Sequence, residues 1–407
     1  LVPVATVVNG LLESAPTMTL PFIKDDEAQP QPIGDFRPVD EWQTHINRIF
    51  YGLRGRQVRD FFQTFASADY RLAHALAADY HARVLKREQA TPSDVPLTVV
   101  ELGCGNGNLA ACFLTHLRAI DTHSRVYPRV RYVLVDVDDR IVEAALAHPD
   151  LAPHRTQVET KRGELADLKA FADGSVDRLI CNERWNELAT KLILKKQAEF
   201  EEEFLRPNVS VYSHAAITDW TGFLRAVESC DWDVLRRTPP FLEDLVWERE
   251  YHKVEWNELA FRKTITDWFK KIEDEVMVPV NIGAHVMIQE AMRVLAPTAV
   301  GFSAFDAGTE DLDVLNDPEK PCSGQYGGLS SFLVNFALAR AVATYAGAKQ
   351  VKLEPHREFV GQSLGLNVMS LMDLLATHPE AGDLKPWEQD RWVIMTLRAL
   401  NQTYQSL

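Results

Sequence analysis

Leu97-Thr98-Val99-Val100-Glu101-Leu102-Gly103-Cys104-Gly105-Asn106-Gly107-Asn108-Leu109-Ala110-Ala111-Cys112-Phe113-Leu114 decides the fold of this 407-residue chain. The β-branched run launched after Pro96 reads as a strand, the three glycines as a turn, and the apolar residues beyond as a helix. Strand, glycine turn and helix open a nucleotide-binding α/β unit. Working outward, Arg131 to Asp136 reads as a second strand followed by a helix from about Arg140 to Ala147. Val176 to Asn182 is a later strand, entered from the Asp173-Gly174 turn. Strands alternating with helices predict an α/β protein with a doubly wound, mostly parallel, Rossmann-like sheet.

Upstream, residues 1–38 are rich in Pro, Gly and acids and read as an irregular arm, followed by helices from Val39 to Leu85 on the spacing of Trp42, Ile46, Ile49 and Phe50, then Leu72, Leu76, Tyr80 and Val84. From about Lys191 the α/β rhythm stops. Trp220, Trp232, Trp247, Trp256 and Trp268 stand there among many charges, and the segment reads as inserted and mainly helical. The rhythm resumes with a helix near 288–295, a strand at 299–306, a helix at 332–345, strands around 350–353, and closing helices at 368–375 and 386–400. The expected organisation is therefore 1–95, N-terminal arm and helical region; 96–190, the first Rossmann-like half; 191–279, the insertion; and 280–407, the second half with C-terminal helices.

Composition excludes several classes. No apolar run approaches the roughly 20 residues of a membrane-spanning helix. A net charge of -15 argues against nucleic acid, whose phosphates demand a basic stripe, and suits a cationic or neutral partner. Five scattered cysteines without a Cys-x-x-Cys pair disfavour disulfides and structural zinc, so no metal is expected. The apolar start, Leu1 to Val8, lacks the basic leader of a signal peptide, and a reduced, cytoplasmic setting is the expectation. A homodimer is an arrangement the sequence leaves open.

A glycine-rich loop at the carboxyl end of a first strand lets a ligand approach the backbone, and the next helix offers N–H groups and a positive dipole end. Dinucleotides and S-adenosylmethionine compete for such a loop. The dinucleotide pattern Gly-x-Gly-x-x-Gly fails at its third glycine, which is Asn108 counted from Gly103 and Ala110 counted from Gly105, although some variants of that pattern tolerate alanine there. An adenosine ligand next needs an acceptor for its ribose diol, and Asp136, with Val137 beside it, ends the second strand. Glu164, in the segment Arg162 to Leu168 with Leu165 beside it, reads by itself as an exposed loop acid. Asn182-Glu183-Arg184-Trp185-Asn186-Glu187-Leu188 leaves the later strand and should face the reacting group. Glu183 and Glu187, four apart, would share a face if the segment is helical, and could orient a guanidinium or take its proton. For a hydroxyl acceptor one of them, or Asp306 at the tip of the next strand, would be the general base.

The pattern Glu101-x-Gly103-x-Gly105-x-Gly107 resembles motif I of class I methyltransferases. Several segments in order are similar to the MidA family of S-adenosylmethionine-dependent methyltransferases: Phe50 to Gly55, Asp60-Phe61-Phe62-Gln63-Thr64, Val100 to Ala110, Asn182-Glu183, Phe305-Asp306-Ala307-Gly308, and Gly347-Ala348 through Gly361. The resemblance spans roughly residues 50 to 190 and 280 to 365. It implies S-adenosyl-L-methionine as cofactor, held by Glu101, Gly103, Cys104, Gly105, Asn106, Gly107, Asp136, Val137, Glu164, Leu165 and Asn182, with Glu183, Glu187 and Asp306 as the acids facing the acceptor. It implies protein arginine as the first acceptor class, with a small metabolite second and a non-catalytic module that kept the fold third. Two departures fall where the acceptor should bind. The family aspartate after Asn-Glu is Asn186 here, with Glu187-Leu188-Ala189 in place of Ala-Leu-Pro, and the glycine before Asp-Phe is Arg59.

Overall fold

The computed structural model describes residues 29–54, 65–90, 92–364 and 403–406. The start of the arm, the segment from Arg59 to Thr64 and the closing helices expected at 368–375 and 386–400 lie outside the described residues.

One sheet carries the fold. Its strands are β1 (Leu97–Leu102), β2 (Val130–Asp136), β3 (Val158–Arg162), β4 (Arg178–Asn182), β5 (Gly301–Asp306), β6 (Lys352–Pro355) and β7 (Thr403–Ser406), in the spatial order β6-β7-β5-β4-β1-β2-β3. β5, β4, β1, β2 and β3 pair in parallel, while β7 runs antiparallel to both of its neighbours. Buried strands covered on both faces need apolar residues in both registers. Accordingly Leu97 and Val99 point into one core layer and Val100 and Leu102 into the other.

The first layer is built with α2 (Arg71–Ala90), α3 (Asn108–Ile120) and α7 (His356–Leu364), the second with α5 (Ile282–Val294) and α6 (Phe336–Tyr345). The sheet is therefore doubly wound and mostly parallel. β3 had no apolar signal because it is an edge strand: Val158-Glu159-Thr160-Lys161-Arg162 is only partly covered or exposed along its length. β7 lies far along the chain from the strands it joins, and no local pattern announces such a pairing.

A buried cluster ties α2 to the start of β4. Asp177 accepts from Tyr80 Oη at 2.7 Å and from Arg87, and its own N–H donates to Thr98 O at 2.8 Å. Tyr80→Phe keeps the ring and leaves one carboxylate oxygen without its donor, an expected loss of about 1–2 kcal/mol. The urea midpoint of the whole chain should fall, and an unchanged midpoint would show that Arg87 alone satisfies Asp177.

Residues 191–280 correct the expectation of a mainly helical insertion. They are organised around an antiparallel sheet: Glu199–Val209 pairs with Lys191–Lys196 and with Leu245–Lys253, and Lys191–Lys196 pairs in turn with Val276–Val280. Short helices such as Trp220–Ser229 and Arg262–Trp268 flank it. The arm, expected to be irregular, adds Gln31–Pro32 and Arg37–Pro38 as short strands on Glu199–Val209. The helix α1 (Val39–Arg54) follows and buries Trp42, Ile46, Ile49 and Phe50. Its polar residues stitch the two parts together. Asn47 exchanges two hydrogen bonds with the backbone of Ser330, and Gln43 accepts from Thr190 N.

Candidate functional site

From β1 the chain moves to β2 and β3 on one side, then crosses back to β4 on the other, so the order reverses between β1 and β4. In open α/β sheets the crevice above the strand ends at such a reversal is where ligands bind. Residues 101–107 leave β1 there, Asp136 ends β2, Asn182 ends β4 and Asp306 ends β5.

The three glycines of the loop have different physical reasons to be glycine. All are left-handed, with φ of +75° at Gly103, +53° at Gly105 and +80° at Gly107, where side chains are strained. A Cβ on Gly107 would stand 2.6 Å from the carbonyl oxygen of Ala145 in α4 (Asp139–Leu146), so this glycine permits close packing of α4 against the start of α3. A Cβ on Gly103 would meet the Arg184 side chain at 2.9 Å. Only Gly105 faces open space, and it is exposed. The loop is pinned from below by Gly103 N and Cys104 N donating to Val135 O, and from the side by Asn106 Nδ2 donating to Ser67 O at 2.8 Å. Cys104 itself is buried.

Two acids lie under the loop. Glu101 is 4% exposed and accepts from Tyr132 Oη at 2.8 Å; Asp136 is 2% exposed and accepts from the N–H groups of Val137 and Asp138. Burial pushes Glu101 up to about 8, Asp136 nearby adds to the rise, and the Tyr132 hydrogen bond opposes it. Burial also raises Asp136, against the charge of Arg184 and the two N–H donors.

A carboxyl raised on folding stabilises the free protein in full below its unfolded value of 4.5, and that contribution is lost as pH rises through about 8. Glu101→Gln should therefore flatten the decline of the melting temperature between pH 5 and pH 9, and parallel profiles for the two proteins would disprove the assignment. A cation bound beside Glu101 would reverse the rise, so cationic ligands should bind more tightly as pH increases over the same window.

Asn182-Glu183-Arg184-Trp185-Asn186-Glu187 forms not a helix face but one tight turn. Glu183 is left-handed at φ +49°, a strained conformation for a non-glycine residue, and its N–H donates to Phe305 O at 2.7 Å. Trp185–Glu187 is a single turn of 3-10 helix, so Glu183 and Glu187 do not share the face that a helix would give them. Glu187 is engaged within the chain, accepting from Tyr51 Oη at 2.5 Å and from Arg184 Nη1 at 3.1 Å. Asp306, 1% exposed, holds the turn. Its Oδ2 accepts from Trp185 N at 2.7 Å and Asn186 N at 3.2 Å, and its Oδ1 from Ala307 N at 2.7 Å. Burial and the nearby Glu183 raise Asp306 to about 8 while these N–H groups pull the other way. Both oxygens of Asp306 thus accept from backbone, Oδ2 from two N–H groups and Oδ1 from one, which ties the end of β5 to the turn.

At the far side, Glu164 is exposed and Leu165 buried in the second core layer, 4% exposed. Gly163 N donates to Asp136 O, so this segment borders the end of β2. Leu165 faces the core, whereas Val137 is 37% exposed next to Asp136 and offers the better apolar surface for a flat ring. Two residues in the crevice escaped sequence reasoning, Tyr51 from α1 and Arg184. Among the described residues no His, Cys, Asp and Glu cluster is arranged for a metal, and no helix is long and apolar enough to cross a membrane.

No family model and no curated protein matches this chain. Solved structures do. An uncharacterised superfamily protein from Burkholderia thailandensis, 14% identical with a TM-score of 0.53, aligns over 91% of this chain and 86% of its own. A member of the same superfamily from that organism, described as a candidate methyl transferase and bound to S-adenosyl-homocysteine, is 15% identical with a TM-score of 0.55, over 91% of this chain and 87% of its own. At such identity the likeness establishes the fold, and it extends over nearly the whole of each chain.

Proposed function

We propose that this chain is an S-adenosylmethionine-dependent methyltransferase, with a protein arginine side chain as its first acceptor class and a small cationic or neutral metabolite as its second. The observation that carries the reading is the convergence of two buried acids, Glu101 and Asp136, beneath a left-handed glycine loop whose Gly105 faces open space at the strand-order reversal. An adaptor has no use for carboxyl groups buried at a cost under an open loop. The solved structure with S-adenosyl-homocysteine supports the choice of nucleoside, and the resemblance to the MidA family supports the acceptor class.

Glu101, Asp136 and the loop backbone from Gly103 to Gly107 would hold the ligand, with Asp136 accepting from the ribose hydroxyls and Val137 against the base. When bound, the cofactor supplies a methyl group on a sulfonium, activated for in-line displacement. No covalent enzyme intermediate is needed, so the chain's task is to position the acceptor and exclude water. Glu183, left-handed at φ +49° with its N–H on Phe305 O at the end of β5, would orient an acceptor nitrogen and receive its proton.

S-adenosyl-homocysteine should raise the melting temperature by several degrees at saturation, and NAD should not. The reverse would overturn the proposal in favour of a dehydrogenase. Glu183→Gln should keep the affinity for S-adenosyl-homocysteine and lower methyl transfer by about 100-fold. Full activity would remove Glu183 from the site. Radiolabelled methyl transfer into a cell lysate, resolved by size, separates a protein acceptor from a metabolite.

A further inference from the structure

A guanidinium sits in the crevice between the glycine loop and the turn after β4. Arg184 lies so close over Gly103 that a Cβ there would stand 2.9 Å from both its Cδ and its Nε. Its Nη1 donates to Tyr51 Oη at 3.2 Å and to Glu187 Oε2 at 3.1 Å, and its guanidinium carbon lies 5.5 Å from the centre of the Tyr51 ring. Burial by itself would lower the guanidinium's affinity for its proton, yet Tyr51, Glu187 and Asp136 hold it above the ordinary arginine value. The arginine is therefore a fixed cation. Its Nε is buried and, among the described residues, without a hydrogen-bond partner. An unmet buried donor costs about 1–3 kcal/mol, and more where the group is charged, so the position suits an acceptor that the described residues do not supply.

Charge says which acceptor. Among the described residues of the strand-end segments 101–108, 136–138, 163–165, 182–188 and 305–308, Arg184 is the only cation and every other charged side chain is acidic, while Arg54 at the end of α1 pairs with Glu243. The ligand proposed above carries a sulfonium, an ammonium and a carboxylate. Acids suit the first two and repel the third.

We propose that Arg184 is the carboxylate-binding residue for the amino-acid end of the nucleoside ligand. Tyr51 and Glu187 are its positioning residues, fixing Nη1 so that Nε is presented towards Gly103. A planar guanidinium matches a carboxylate in a way that a lysine ammonium does not. Glu187 is then occupied in holding Arg184 and does not grip the acceptor. The inference rests on the cofactor reading and deepens it.

Calorimetry with two ligands separates the claims: S-adenosyl-homocysteine, and its decarboxylated analogue S-adenosyl-3-thiopropylamine. The unmodified chain should prefer the former by roughly 30-fold. Arg184→Gln should lose that preference through weaker binding of S-adenosyl-homocysteine, with affinity for the analogue little changed. Arg184→Lys keeps a charge in the crevice, guards against misfolding and should show an intermediate preference. Equal weakening of both ligands in Arg184→Gln would assign the arginine a purely structural role and overturn the inference, as would a preference that survives the substitution. If the unmodified chain binds neither nucleoside, the cofactor reading itself falls, a pattern unlike either of these.

Discussion

Gly107→Val is expected to destabilise the free protein by about 3 kcal/mol or more and to abolish binding of S-adenosyl-homocysteine. Two independent costs act at this position. A β-branched residue at φ +80° is strained by roughly 1–3 kcal/mol, and its Cβ would lie 2.6 Å from the backbone oxygen of Ala145 and 3.1 Å from the carbon that bears it. A flexible side chain could swing away from such an overlap, but a backbone carbonyl in the last turn of α4, itself accepting from His148 N, cannot. Either α4 or the start of α3 must move, and the loop between β1 and α3 moves with it. Gly105→Ala is the control. Its Cβ would meet nothing within 4 Å at φ +53°, so only the left-handed penalty of about 1–2 kcal/mol applies and the fold should survive. A loss of ligand affinity there, measured by calorimetry on a folded protein, reads the open space above Gly105 directly. Urea unfolding of both variants distinguishes the glycine needed for packing from the glycine turned towards a ligand, and similar stability for the two would refute the division.

The loop was legible because its signals are local. A β-branched run, three glycines and an apolar helix start stand in consecutive residues, and the acids that matter to them end neighbouring strands. The turn after β4 was legible as a place but not as a shape. Spacing alone paired Glu183 with Glu187 on a helix, whereas Asp306, distant in sequence, captures the N–H groups of Trp185 and Asn186 and closes the chain into a tighter turn. The second sheet was hidden for a similar reason. Its first hairpin joins Lys196 to Glu199 through Gln197 and Ala198, with Gln197 left-handed at φ +53°, and neither residue is the glycine or asparagine that usually marks such a turn. Glu202 and Glu203 in its long strand are buried, where Lys191 and Arg249 from adjacent strands meet them. Tyr51 and Arg184 required knowing that α1 folds back over the crevice, which no periodicity within α1 discloses.

Asp306→Ala should give the other large effect, and it decides between two roles for a buried acid at a strand end. As a general base, Asp306 would need an oxygen directed at the acceptor. As a positioning residue, it needs its oxygens on the backbone, where they are: one on Trp185 and Asn186, the other on Ala307. Alanine would leave three N–H groups without their acceptor, at about 1–3 kcal/mol each if water does not reach them, so a loss of 3 kcal/mol or more is expected in urea unfolding. The turn carries Arg184 and Glu187 on either side of the two residues that Asp306 holds, so its release should also weaken S-adenosyl-homocysteine by tenfold or more, roughly the value of one charge-assisted contact. A general base would behave otherwise, because its removal lowers turnover while stability and ligand affinity persist. Asp306→Asn sharpens the contrast. It retains one carbonyl acceptor and sets an NH2 group against the donors that faced the other oxygen, so stability and ligand affinity should fall part of the way together. Intact stability and affinity with turnover gone would restore Asp306 to the chemistry and take from the turn its support.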